Sequence, residues 1–584
     1  MSAAHPPRQD TGPETRTRQG RMDRILLALA AGAILFSSLL WAWYIIAYGV
    51  DIPRMDQLNT PAEQIAAAAQ GELDFNLLIK QHNESRKLLP NLISLSLYEI
   101  RGYWDLRAEL LMGWLMGVLC LAAIAQLSWL TTRKIMSTAA LTALFSGLLW
   151  SAHTFYFHFF SVTFERYLPQ LLLLFITTGF FRYGVSWAAV VFASLASAMS
   201  QFSYASGVVV WPLALALILL LERGEVRKNR SKILFFVLSA VPFFWLFFRD
   251  YVTPGHHTPL TAILDVPLSS MFLYVIHFVG NGITNNSVSI TIIGILFLGM
   301  YLALVTYVFV SGRNDPAWRE RVVWVVVGSY SLAQAILSMI GRLPGAMMPE
   351  DRLDYVTHPF YLITAVLALL LLTVPPRAQR KLHVIGIALA LALTSTSVKP
   401  VMRQRMLMLE SDLQYARSCL LLLNRLQQPD CLDGLYWDDQ WRTPHLRRAS
   451  PLLQQPILES LEFGSDSDPH DVSWKSLSDS AVATGVARIA GQRADAVVAI
   501  KDQSGVLDIV RIERVGFTRS PSTGRIEPLA DPAGWVMKLG RSEKNDLCAL
   551  RIYAMQNESG LLHEIMDAHS SHCDPRNEID PARE

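Results

Sequence analysis

ILLALAAGAILFSSLLWAWYIIAYGV, residues 25–50, runs directly into DIPRMDQLNTPAEQ, residues 51–64. The first stretch is mostly apolar and exceeds the roughly 20 residues a helix needs to cross a bilayer core. It is too long for the apolar part of a secretory leader, and no small-residue cleavage site stands out, so it reads as a retained span. Arg16, Arg18, Arg21 and Arg24 precede it. Cations beside a first span stay in the cytoplasm, which places residues 1–23 inside as a polar, disordered tail. The polar stretch after the span then faces outward, toward the periplasm of a bacterium.

The whole chain has the same character. It has 584 residues, of which 52% are hydrophobic and 17% charged, with a mean hydropathy of +0.29. That is too apolar for a soluble globular protein of this size. The net charge of +2 gives no reason to expect a nucleic-acid partner.

Ten further apolar runs read as spans, at about Glu109–Leu130, Ser137–Ala152, Tyr167–Phe181, Trp187–Met199, Val208–Leu221, Ile233–Phe248, Ile290–Val310, Val322–Ile340, Phe360–Val374 and Val384–Ser397. Met271–Val279 is too short to cross and reads as a re-entrant or interfacial helix. About eleven spans put the C-terminus outside, and every loop this assigns to the inside carries Arg or Lys. The expected fold is mainly α, a polytopic transmembrane helical bundle over residues 24–398 with a first periplasmic loop at 51–107. A periplasmic helical stalk follows over 399–469, where apolar residues recur at helical spacing. Short alternating runs over 470–570 predict a small antiparallel β-sandwich, and 571–584 is a tail.

The candidate chemistry lies in the first loop. Asp56 stands just outside the first span, where partial shielding from water would tune a carboxylate to take a proton. Asp51 and Glu84 are the alternatives, with Asp51 equally readable as an interfacial cap. IKQHNESRKLLPNLI, residues 79–93, adds His82, Asn83, Glu84, Arg86 and Lys87. A guanidinium fork and an ammonium point charge suit a lipid phosphate. The plainer reading is a solvated loop attracted to anionic headgroups. Glu165 and Arg166, and later Arg342, Glu350, Asp351, Arg352 and Tyr355, fall on the same predicted side. The spacing of His82 and Glu84 is not a metal motif, so no cofactor is expected, and a bound divalent cation is possible but unsupported. Phosphate-loop, dinucleotide and serine-hydrolase signatures are missing too, which disfavours cytosolic nucleotide chemistry.

These features resemble the GT-C superfamily of integral-membrane glycosyltransferases. The likeness covers about residues 24–400 and rests on Asp56 in RMDQL, on QHNESRKLLPNL, on SYASGVVVWP and on DRLDYVTHPFYL with Arg352, Tyr355 and Thr357. It is nearest a poorly characterised bacterial branch with a His-Asn-Glu-x-Arg stretch. Leu58 stands where that branch often has an aromatic, and Ser85 where it has a second histidine. The resemblance implies transfer of a hexosyl or pentosyl unit from a polyprenyl-phosphate-linked donor to a cell-envelope glycan, lipid or protein acceptor. It also implies an inner-membrane, multi-pass location, with membrane lipid around the donor's tail. Asp56 would be the general base, and Arg86, Lys87 or Arg352 would meet the phosphate. The competing expectation is a non-catalytic scaffold or translocator of glycan assembly. A translocator places polar groups inside its spans, and these spans are nearly free of them.

Cysteine placement gives a separate expectation. Cys120 lies within the second span, while Cys419, Cys431, Cys548 and Cys573 follow the last one. In an oxidising compartment four thiols usually pair. Proximity along the chain predicts Cys419–Cys431 and Cys548–Cys573.

Overall fold

A computed structural model describes residues 13–222, 226–254, 259–312, 315–352, 355–426, 430–433, 435, 439–464, 472–476, 481–490, 492–501, 505–512, 517–519, 526–528, 534–539 and 550–567. The fold is mainly helical, with small sheets near the C-terminal end. All eleven stretches expected as spans are helices. Among the described residues five helices are long and apolar enough to cross a membrane, or up to seven if two bent pairs each count once. This is a multi-pass membrane protein, but the figure of eleven crossings is not reached by length. Trp187–Gln201, with 15 residues, and Phe360–Thr373, with 14, rise only about 21–23 Å, short of a ~30 Å hydrocarbon core. The first helix begins at Pro13, well before the expected start of the span. Residues 13–23 are therefore helical and not a disordered tail, since proline suits a first helical turn.

Contacts divide the chain into two units. The first comprises Met1–Trp43, Ile79–Pro90 and Leu110–Lys399. At its centre lies Phe164–Tyr183, a helix buried along most of its length. Other helices turn apolar faces outward: Leu35, Leu39, Val241, Trp245 and Ile292 are all at least 60% exposed, as lipid-facing residues are. Inside, polar groups bond across helices. The Trp41 indole donates to the Trp150 carbonyl and Ser37 meets Ser146 at 3.0 Å, because hydrocarbon offers no water to satisfy them. The short helix Leu268–Gly280 crosses Ser287–Ser311 backbone to backbone. A Cβ on Gly280 would lie 2.0 Å from the Ile290 carbonyl oxygen, and one on Gly294 would lie 2.0 Å from that of Ile276. Small residues permit this close crossing.

The second unit comprises Tyr44–Leu78, Asn91–Glu109 and Pro400–Glu584. Residues expected as a stalk and those expected as a separate sandwich share one core here with the first loop. Val50, Ile52, Leu58, Ile65, Leu95 and Trp104 pack with Leu413, Leu420, Leu421, Val498, Ile500 and Tyr553. The Pro400–Leu421 helix thus lies on a sheet. That sheet orders its strands Phe463–Gly464, Leu562–Asp567, Leu550–Met555, Ala496–Lys501 and Gly505–Arg511. It is antiparallel except for the first pair. Along Ala496–Lys501 the side chains alternate: Ala496, Val498 and Ile500 join the helix-side core, whereas Val497 and Ala499 join Trp535 and Met537. This is the two-residue period of a strand buried on both faces. Trp535 and Met537 belong to a three-stranded antiparallel sheet of Val472–Ser476, Ala481–Val486 and Gly534–Leu539. Cys419 and Cys431 form a disulfide. Cys548 and Cys573 lie outside the described residues.

Candidate functional site

Gln81–His82 and Ser85–Arg86 form a two-stranded hairpin. Its turn is Asn83–Glu84, and Asn83 takes a left-handed φ of 49°, which asparagine tolerates better than most residues. The turn projects Glu84, whose Oε1 accepts from Arg342 Nη2 at 3.2 Å. Arg342 closes the Trp318–Arg342 helix, where a cation complements the helix dipole. Its Nε also donates to the Tyr355 hydroxyl at 3.3 Å.

Lys87, one strand-length on, pairs with Glu165 at 3.0 Å, and both side chains are at most 5% exposed. Glu165 sits in the first turn of the central helix, the end that favours an anion. Arg166 follows it and lies over two rings, Tyr204 at 5.2 Å and Tyr355 at 5.9 Å. Arg352 covers Tyr355 from 5.3 Å. Four cations and two carboxylates thus meet around two tyrosines, and positive charge is in excess among these eight side chains.

Two supports hold the cluster. Ser85 Oγ accepts from the Ala205 N–H at 3.0 Å, which fixes the break in the SYASG stretch and with it Tyr204. Gly207 is required there, since a Cβ would meet the Ser200 carbonyl oxygen at 1.9 Å. On the other side the segment ahead of Arg352 is tied to the short helix by His277–Glu350 at 3.0 Å. Asn281 Nδ2 adds a bond to the Pro349 carbonyl at 3.0 Å.

Arg86, expected at a phosphate, points elsewhere. Its Nε donates to the Phe247 carbonyl at 2.8 Å, its Nη1 to Ile79 at 3.0 Å, and its Nη2 to Arg249. It caps the end of Arg230–Phe248, taking carbonyls that the helix leaves unbonded. His82 is half-buried beside the turn.

The two aspartates belong to the second unit. Asp51 is 7% exposed and its Oδ1 accepts from the Leu106 N–H at 2.8 Å, capping Leu106–Thr132. Burial raises its pKa, opposed mainly by that hydrogen bond. Asp56 is half-buried on a one-turn helix, Met55–Leu58. The turn is held firmly. Met55 N–H donates to the Leu435 carbonyl, and Gln57 Nε2 donates to Glu109 at 3.3 Å. Glu109 is buried and also accepts from Ser94 and Trp104. Met55 itself has a φ of 49°, a costly conformation for a side chain of its kind that persists where surroundings enforce it.

Glu84, Lys87, Glu165, Arg342, Arg352 and Tyr355 are brought together as a group. Tyr204 and Glu109 are additions that local sequence does not flag, because their partners are remote in the chain. Among the described residues no group of three or more His, Cys, Asp or Glu is placed to hold a metal ion.

No protein-family model matches the chain, and no curated protein does. Two solved structures do, both of ArnT from Cupriavidus metallidurans. The one bound to undecaprenyl phosphate is 15% identical, covers 72% of this chain and 76% of its own, and superposes with a TM-score of 0.35. The apo form is 14% identical, covers 74% and 85% respectively, and has a TM-score of 0.31.

Proposed function

We propose that the protein is a membrane glycosyltransferase that moves a sugar from a polyprenyl-phosphate-linked donor to a cell-envelope acceptor on the periplasmic side. One observation supports this most: Lys87, Arg166, Arg342 and Arg352 converge with Glu84, Glu165, Tyr204 and Tyr355 in a body otherwise built from apolar helices. Excess positive charge there suits a lipid phosphate, with fork-shaped donors from arginine. The tyrosine rings suit a sugar face, and surrounding hydrocarbon suits a polyprenyl tail.

In the proposed reaction the acceptor hydroxyl attacks the anomeric carbon from the face opposite the phosphate. The bond from that carbon to the phosphate oxygen breaks, and the phosphate leaves with the electron pair, inverting the centre. Asp56 takes the hydroxyl proton. Asp51, which caps a helix, and Glu84, which pairs with Arg342, are the alternatives to it. The cations stabilise the charge that develops on the leaving phosphate.

Binding of a polyprenyl phosphate to the full chain in vesicles tests the donor half. Arg342→Gln and Arg352→Gln should each weaken binding, and the neutral polyprenol should bind poorly. Equal binding of phosphate and alcohol, unchanged in both variants, would reject this reading.

A further inference from the structure

The turn that carries Asp56 is closed by the side chain of its neighbour. Gln57 Oε1 accepts from the Arg54 N–H at 3.1 Å, while the Asp56 carbonyl accepts from the Asn59 and Thr60 N–H groups at 3.1 and 2.9 Å. The Gln57 amide thus ties the chain on either side of Met55 and Asp56, and Met55 is held between them at a φ of 49°. An amide side chain has a donor end and an acceptor end. Turned over, Gln57 would set a second donor against the Arg54 N–H and release the turn.

Glu109 sets which way that amide faces. Its Oε2 accepts from Gln57 Nε2 at 3.3 Å, and its Oε1 from Ser94 Oγ at 2.6 Å and Trp104 Nε1 at 2.9 Å. Glu109, Gln57, Ser94 and Trp104 are each at most 2% exposed. These donors are neutral, and a carboxylate buried among them costs more than a glutamine would. What the carboxylate adds is an acceptor at both oxygens. A glutamine at position 109 would keep its oxygen on Trp104, whose indole only donates, and would turn its own N–H groups toward those of Gln57.

We propose that Glu109 is a positioning residue for Asp56, acting through the Gln57 amide. It keeps Gln57 Oε1 on the Arg54 N–H, and so holds the backbone at Asp56 in one conformation. This role rests on Asp56 being the base of the proposed transfer.

Exchanging the two side chains supplies the test. Glu109→Gln alone sets two amide donors face to face. Adding Gln57→Glu rebuilds every bond named here: the carboxylate at position 57 accepts from the Arg54 N–H and from the amide at position 109, whose oxygen stays on Ser94 and Trp104. Hydrogen exchange of the full chain in detergent would be read by mass spectrometry on peptides covering residues 51–60. Transfer would be read by the envelope species that Asp56→Asn removes from cells. Glu109→Gln should speed exchange and slow transfer by about tenfold each, the worth of one buried hydrogen bond, with binding of polyprenyl phosphate unchanged. The double variant should return exchange to the wild-type rate and transfer to within about threefold of it. Unchanged exchange in Glu109→Gln, or a double variant as loose or as slow as the single one, would overturn the proposal. Exchange that rises and recovers while Asp56→Asn leaves every envelope species unchanged would overturn the proposed reaction, and the role assigned to Glu109 with it.

Discussion

Removing the ammonium of Lys87 should destabilise the first unit far more than removing its whole ion pair. Lys87 and Glu165 lie 3.0 Å apart and are 5% and 2% exposed. At an effective dielectric near 20 their attraction is about 5–6 kcal/mol. Lys87→Met removes the ammonium that meets the buried Glu165 carboxylate, and breaking such a pair costs about 3–5 kcal/mol. For a body of this size that is a fall in Tm of roughly 5–15 °C. Lys87→Met combined with Glu165→Leu replaces both charges by apolar side chains and should return to within about 1 kcal/mol of wild type. Thermal unfolding in detergent, followed for all four members of the cycle, measures the coupling. Sugar transfer should separate from stability: the double variant regains its Tm but not its activity, because the positive group is still gone. An unchanged Tm in Lys87→Met would refute the buried pair, and an active double variant would remove Lys87 from the proposed site.

Three further outcomes are expected. Arg86→Gln should lower the unfolding free energy by about 2–4 kcal/mol, the cost of hydrogen bonds lost from a charged group to buried carbonyls. Its loss of transfer should follow its loss of folded protein, and a fully stable but inactive variant would return Arg86 to the phosphate. Asp51 has a folded-state pKa raised by burial, so the native state keeps a proton the unfolded chain has released. Its contribution is therefore present at pH below the ordinary value of 3.8 and is lost as pH climbs from there through the raised value. Asp51→Asn, which keeps the acceptor for Leu106, should flatten that decline; an unchanged pH–stability curve would contradict it. Cys419→Ser opens a bridge between residues 12 apart in sequence. It should cost roughly 3 kcal/mol in the second unit, seen as a lower denaturant midpoint, and alkylation of both thiols in untreated protein would disprove the bridge.

The helices were legible because hydropathy is a local property. Every stretch from Ile25 to Ser397 expected to span is helical, and even the short Met271–Val279 run lies in a helix, Leu268–Gly280. What the second unit is made of was not legible. Its first-loop and C-terminal parts are joined by remote bonds, such as Trp104 N–H to the Leu452 carbonyl, and alternating runs carry no sign of what they cover. Similar reasons divide the site. Glu84 and Arg342 stand 258 residues apart, and only their shared predicted side suggested that they meet. Arg86 shows the converse limit: composition does not distinguish a guanidinium facing phosphate from one facing three carbonyls. Tyr204 had no charge to draw attention, and its place depends on Gly207 admitting a backbone contact that any side chain would block.

Asp56→Asn tests the central claim most directly, because it removes a proton acceptor while changing little volume. The measurement is mass-spectrometric comparison of envelope glycans, lipids and glycoproteins from cells carrying the wild type or this variant at equal membrane abundance. One sugar-modified species should disappear from the variant, with its polyprenyl-phosphate-linked donor accumulating. Identical profiles, with the variant folded and inserted, would contradict Asp56 as the base.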